Sequence, residues 1–195
     1  MKKSRTKMSY LMILTILMVS CSNDSTDFDD DDMNLSEIQY TELPVRPGPR
    51  IETTQGVPHV QIGVELVHDV HEEMVRRIYS IPGLEDRRSV IGSWRGMWLS
   101  DSLTIVAKDA VIDGREYAHI HHDGSLHIFL EPERAVEAVE AKWAIHHPFA
   151  LQNQEGWDGF VMLYTPQSFE ELAVTMQLIV DGYNYVTGQN LKIDR

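Results

Sequence analysis

Six of the nine histidines of this 195-residue chain, His119, His121, His122, His127, His146 and His147, fall between positions 119 and 147. Imidazole titrates near neutral pH, at about 6.5, so it both takes and gives protons there, and its nitrogens are common metal ligands. Several on one surface suit proton abstraction or metal binding. Whether they share a surface depends on the turn His122-Asp123-Gly124, because a one-residue slip moves every side chain of a strand to the other face. A two-residue Asp123-Gly124 turn would separate His127 from His119 and His121 and mix polar with apolar residues on both faces. A three-residue loop with Gly124 left-handed pairs His119 with His127 and His121 with Ser125. Ala118, Ile120, Leu126, Ile128 and Leu130 then form a wholly apolar face able to meet helices. This register is the expectation, and it gathers Tyr117, His119, His121, Ser125, His127 and Phe129 on the second face. His122 and His146 read as solvated.

The elements that hold this hairpin are legible from periodicity. Val64, Val67, Val70, Met74 and Ile78 recur at helical spacing, and Pro82-Gly83 closes that segment. Pro132 suits a first helical turn, with Ala135, Val136, Val139 and Trp143 following on one face. Ser168 with Glu171 makes a capping box before the stripe Leu172, Met176, Ile179, Val180 and Tyr183, which Gly188 ends. Val90–Leu99, Leu103–Ala107, Glu116–His121, Ser125–Leu130 and Phe160–Tyr164 read as strands. This order predicts an α+β fold, an antiparallel sheet with helices packed on one face.

The first residues carry a different signal. Lys2, Lys3, Arg5 and Lys7 precede an apolar run, Tyr10 to Val19, too short to span a bilayer as a stable helix. The run leads through Ser20 to Cys21, the only cysteine. Residues 1–20 are therefore expected to be a lipoprotein signal peptide, with Cys21 the lipidated (palmitate-bearing) residue. The protein is expected in a bacterial cell envelope, membrane-anchored, at the outer membrane. Residues 21–58 read as a tether: Asp29–Asp32 is a solid acidic run, and Pro44, Pro47, Pro49 and Pro58 keep the backbone extended. The folded domain is expected over 59–195. Removing the four positive charges of the signal takes the formal charge from −13 to −17. Such a charge repels nucleic acid and favours a neutral or aromatic small molecule as partner.

Within the domain, Glu116-Tyr117-Ala118-His119-Ile120-His121 and Ser125-Leu126-His127 are followed by Trp143 with His147-Pro148-Phe149-Ala150 and by Leu163-Tyr164-Thr165-Pro166. In this order they resemble the successive motifs of the luciferase-domain family, over roughly Ser102 to Gly188. The family includes fungal luciferases and many bacterial proteins. The resemblance implies an oxidoreductase of the oxygenase type. Its fungal members oxidise a hydroxylated pyrone with molecular oxygen and no added organic cofactor, and their membrane-bound N-terminus parallels the anchor expected here. The chain departs from the family in its shorter His122–Gly124 loop, in Ala144 where glycine usually follows the tryptophan, and before Ser102.

Three functions are open. In the first, a cofactor-independent oxygenase acts on an enolic or phenolic substrate: His119 or His127 is the base, while His121 and His147 hold the anion by hydrogen bonds. Glu116 orients an imidazole, although its register puts it on the face opposite His119, and Tyr164 donates a hydrogen bond. Tyr117, Phe129 and Trp143 contact substrate. In the second, His119, His121 and His127 ligate a metal and leave a position open for water or oxygen. The third is a non-enzymatic ligand-binding lipoprotein.

Overall fold

The longest helix, α4 (Phe169–Thr187), starts and stops where side chains end the backbone pattern. Ser168 Oγ accepts from the Glu171 N–H at 3.3 Å, and Glu171 Oε2 accepts from the Gln167 N–H. Gly188 closes the helix in the left-handed region at φ 67°. The computed structural model describes residues 40–91, 95–152 and 156–192. The expected signal peptide, Cys21 and the Asp29–Asp32 run lie outside the described residues.

The remaining elements are α1 (His68–Ile78), β1 (Leu84–Arg88), β2 (Arg95–Leu99), β3 (Glu116–Ile120), β4 (Leu126–Phe129), α2 (Pro132–Glu140), β5 (Ala144–His146), α3 (Pro148–Leu151) and β6 (Phe160–Leu163). The strands form one antiparallel sheet in the order β1-β2-β3-β4-β6-β5, which makes the fold α+β as expected. Helix α4 lies on β3 and β4, α1 on α4, and α2 against β5 and β6. The approach of α4 is close: a Cβ on Gly182 would stand 2.5 Å from the Phe129 carbonyl oxygen. Ile128, Leu126 and Ala118 are fully buried in the resulting core. Among the described residues no helix is long and apolar enough to cross a membrane.

Several expectations change. Val64 and Val67 precede α1, and Val67 is its N-cap. In α2 the buried residues are Arg134, Ala135 and Ala138, whereas Val136 is exposed and Trp143 lies beyond the helix. Small alanines allow close packing, and Arg134 is tolerated inside because Asp181 on α4 meets its Nε at 2.8 Å. Leu103–Ala107 forms no strand. The Arg115 side chain takes the carbonyls of Leu99, Ser100 and Leu103 that a ladder would use. Only Leu84 of β1 is buried, so that edge strand carries no alternating signal.

The domain also begins before His59. Leu43 belongs to the core, the Arg46 N–H bonds the Ala141 carbonyl, and the Pro44 carbonyl accepts from Trp143 Nε1. Arg134 Nη2 reaches the Thr41 carbonyl at 2.9 Å. The prolines keep 40–58 free of helix, as expected; Leu43, Arg46 and Thr53 are buried within it, while most of its other side chains are exposed.

Candidate functional site

The β3–β4 hairpin has the expected register, with His119 opposite His127 and the His121 N–H bonded to the Ser125 carbonyl. Gly124 turns the chain at φ 80°, a conformation that side chains resist. Asp123 Oδ1 fixes the loop by accepting from both the N–H and the hydroxyl of Ser125. His119, His121 and His127 therefore share one face, and all three are buried.

Alternation fails at the start of β3. The register against β2 shifts between Met97 and Trp98, so that Trp98 pairs with Glu116 and Met97 with Ala118. This bulge turns Glu116 to the histidine side, where its Oε1 lies 3.4 Å from His119 Nδ1. It corrects the expectation that Glu116 faces away. Among the described residues neither atom has another hydrogen-bond partner, so they are each other's available partners. Glu116 Oε2 accepts from the Val90 N–H at 2.9 Å. Burial alone would raise the Glu116 pKa, but hydrogen bonds from His119, Ser89 and Val90 outweigh it and the net shift is downward. The same bulge sends Tyr117 into the core beside Tyr79 and Tyr183, away from the expected substrate position.

The imidazoles form a continuous network. His127 Nδ1 lies 3.1 Å from both His119 Nε2 and His121 Nε2. His121 Nδ1 meets Ser125 Oγ at 2.9 Å, and His127 Nε2 meets His59 Nδ1 at 3.1 Å. His147, the N-cap of α3, accepts the Phe149 N–H on Nδ1, and its ring stands 4.7 Å from that of His127. Burial, then neighbouring imidazoles, hold His121 down to about 3 and His147 to about 4. His127 is lowered well below its ordinary value for the same reasons, and burial lowers His59. These four rings are therefore uncharged at neutral pH.

A cavity of about 670 Å³ opens onto them, lined on the histidine side by His59, His119, His121, His122, His127 and His147. Phe149, Trp157 and Phe160 form its aromatic wall, joined by Ile91, Val57 and Pro58. His122 lines it while remaining exposed. Such a shape accepts a flat, mostly apolar molecule with a polar edge turned to the imidazoles.

Other expected site residues lie elsewhere. Phe129 backs the wall, 4.4 Å from the Phe160 ring centroid, without lining the cavity. Trp143 is held by the Pro44 carbonyl and by Arg46 over its ring, so it ties down the 40–46 segment rather than a substrate. Tyr164 stands beside Arg46, its buried hydroxyl without a hydrogen-bond partner among the described residues and outside the cavity lining. His59 was not anticipated. It follows Pro58 in a segment without periodicity, and only the fold brings it against His127. Trp157, Phe149 and Phe160 were also missed as wall residues; the pairing of Phe160 with Phe129 puts it on the face of His127.

No curated protein and no solved structure matches this chain. Residues 114–180, which carry β3, β4, α2, β5, α3, β6 and the first part of α4, match the family model described as Luciferase domain.

Proposed function

We propose that this protein is a luciferase-like oxygenase that holds an enolic or phenolic small molecule in the histidine cavity as its anion, for reaction with molecular oxygen. One observation carries the reading: uncharged, buried imidazoles at the polar end of an aromatic-walled cavity, within a segment that matches the luciferase-domain model. An aromatic ring stacks on Phe149, Trp157 or Phe160 and turns its hydroxyl to the histidines. His147 supports anion binding directly. Because its Nδ1 accepts from Phe149, its remaining proton sits on Nε2, which donates to a bound oxygen anion. Glu116 is the carboxylate that orients the His119 ring, its Oε1 3.4 Å from Nδ1.

The proposal includes the anchor: cleavage before Cys21, lipidation there, and exposure of the domain to small molecules at a bacterial outer membrane. The net negative charge of the mature chain disfavours nucleic acid and anionic headgroups as partners.

Oxygen uptake on a panel of hydroxypyrones and phenols, with photon counting on the same samples, tests the activity. Wild-type protein is expected to consume oxygen with at least one member. His147→Asn retains a side chain able to cap α3 but loses the Nε2 donor, so kcat should fall about 10²-fold to 10³-fold with Tm nearly unchanged. Folded protein without uptake on any panel member, or His147→Asn with full activity, would overturn the reading.

A further inference from the structure

We infer that His119 Nε2, His121 Nε2 and His127 Nδ1 form a binding site for one divalent first-row transition-metal ion. The inference deepens the oxygenase reading and rests on it for function, since the ion supplies the positive charge that faces the substrate anion.

The argument begins with where the protons go. A neutral imidazole carries one N–H. Glu116 Oε1 is the partner for a hydrogen on His119 Nδ1, which leaves His119 Nε2 as a lone pair. Ser125 gives its hydroxyl hydrogen to Asp123, so Ser125 Oγ accepts from His121 Nδ1–H and His121 Nε2 is a second lone pair. Both point at His127 Nδ1, from 3.1 Å each. If His127 carries its hydrogen on Nε2, toward His59, the lone pairs of the three rings converge. If it carries the hydrogen on Nδ1, a single proton serves two acceptors. In either case the three nitrogens share at most one hydrogen, an arrangement that suits a common cation better than mutual hydrogen bonding. A cation among the three nitrogens satisfies all of them at once.

The dimensions agree. Nitrogens about 2.0–2.1 Å from a tetrahedral ion stand roughly 3.3 Å apart, and the three atoms here lie within 4.8 Å of one another, two of the separations being 3.1 Å. Each ring is also oriented from behind: His119 by Glu116, His121 by Ser125, and His127 by His59. Outer partners of this kind fix the direction of metal-binding histidines and raise their basicity. All three rings line the cavity, so a further coordination position opens toward substrate. Three nitrogens with no thiolate or carboxylate in the inner set select zinc, iron, cobalt, nickel or copper over calcium or magnesium.

A second group, His59, His127 and His147, also places three nitrogens within 4.8 Å. It fits less well. His147 Nδ1 accepts the Phe149 N–H, so its Nε2 bears the proton and has no lone pair to offer.

Full-length protein stripped with chelator and titrated with Co²⁺ provides the test. The expected result is one tightly bound ion per chain, with the intense visible absorption of a four- or five-coordinate site, and X-ray absorption showing three imidazole neighbours. Glu116→Gln should weaken Co²⁺ about 10-fold to 100-fold by loosening His119, and His147→Asn should bind as wild type. The wild-type spectra stand without any variant, so a misfolded His127→Ala leaves the outcome readable. No stoichiometric Co²⁺ in wild-type protein would overturn the site, and loss of binding in His147→Asn would overturn it in favour of the second group. Oxygen uptake separates the two proposals. Undiminished uptake by metal-stripped protein overturns the role of the ion in turnover while leaving the oxygenase; stoichiometric Co²⁺ with no uptake on any substrate supports the site and overturns the oxygenase.

Discussion

His121, His127, His147 and His59 are buried bases whose protonation the fold opposes, and this makes stability depend on pH. Their folded pKa values lie below the ordinary 6.5, at about 3 for His121 and about 4 for His147. Between those values and 6.5 the unfolded chain binds more protons than the native one, so stability rises with pH across that window. Their contribution is complete above 6.5, is lost as pH falls through the interval, and loses nothing more once the folded groups themselves protonate. The urea midpoint of metal-free protein should therefore decline steadily from pH 7 toward pH 4. A flat midpoint over that range would show that the rings are solvated. Glu116 adds a loss at lower pH, because its pKa is depressed by its hydrogen bonds and it must protonate against them. At this scale the sequence shows that histidines cluster. It does not show that Glu116 joins them, because a bulge is a local departure from alternation with no residue type of its own.

Among the elements, the α2–α4 contact is the most exposed to a single substitution. Arg134 is 1 % exposed and meets Asp181 at 2.8 Å, Glu137 at 2.6 Å and the Thr41 carbonyl at 2.9 Å. It thus joins α2, α4 and the segment ahead of His59. Burial pushes the Asp181 pKa up even with Arg134 beside it, a sign of how much the pairing must offset. Arg134→Met should cost about 3–5 kcal/mol, since it strands a buried carboxylate, and Arg134→Met with Asp181→Leu should recover most of that loss. Urea unfolding of the three proteins measures both. Equal destabilisation by the single and double variants would show that the arginine acts through packing alone. Helix α4 itself was legible, since Ser168, Glu171 and Gly188 mark its ends by side-chain chemistry. The buried face of α2 was not, because its longest buried side chain is a cation that only a partner on another helix makes tolerable.

For the whole molecule, the proposed anchor separates location from folding. In that proposal the lipid would supply nearly all the membrane affinity, and more than one acyl chain makes anchoring stable rather than marginal. Cys21→Ser should leave the protein unprocessed or move it to the soluble fraction, with oxygen uptake by the purified domain unchanged. Fractionation of cells expressing each form checks this; a cleaved Cys21→Ser protein that stays tightly on membranes would count against the anchor.

Local chemistry in the sequence determined the antiparallel α+β class, the ends of α4 and the hairpin register. One apolar face, one left-handed glycine and one capping serine each restrict the backbone within a few residues. The shared face of His119, His121 and His127 followed from that register. What needed tertiary structure was everything joined across long separations. His59 reaches His127 over 68 residues, Thr41 reaches Arg134 over 93, and Trp143 turns from the substrate to Pro44 over 99. No periodicity encodes such contacts, because they depend on how packed elements bring remote segments together. The aromatic wall and the His59 partner of His127 belong to the same class. They turn a row of imidazoles into a site with a direction, and the physical reason is burial: only a closed core forces each nitrogen to find a particular partner.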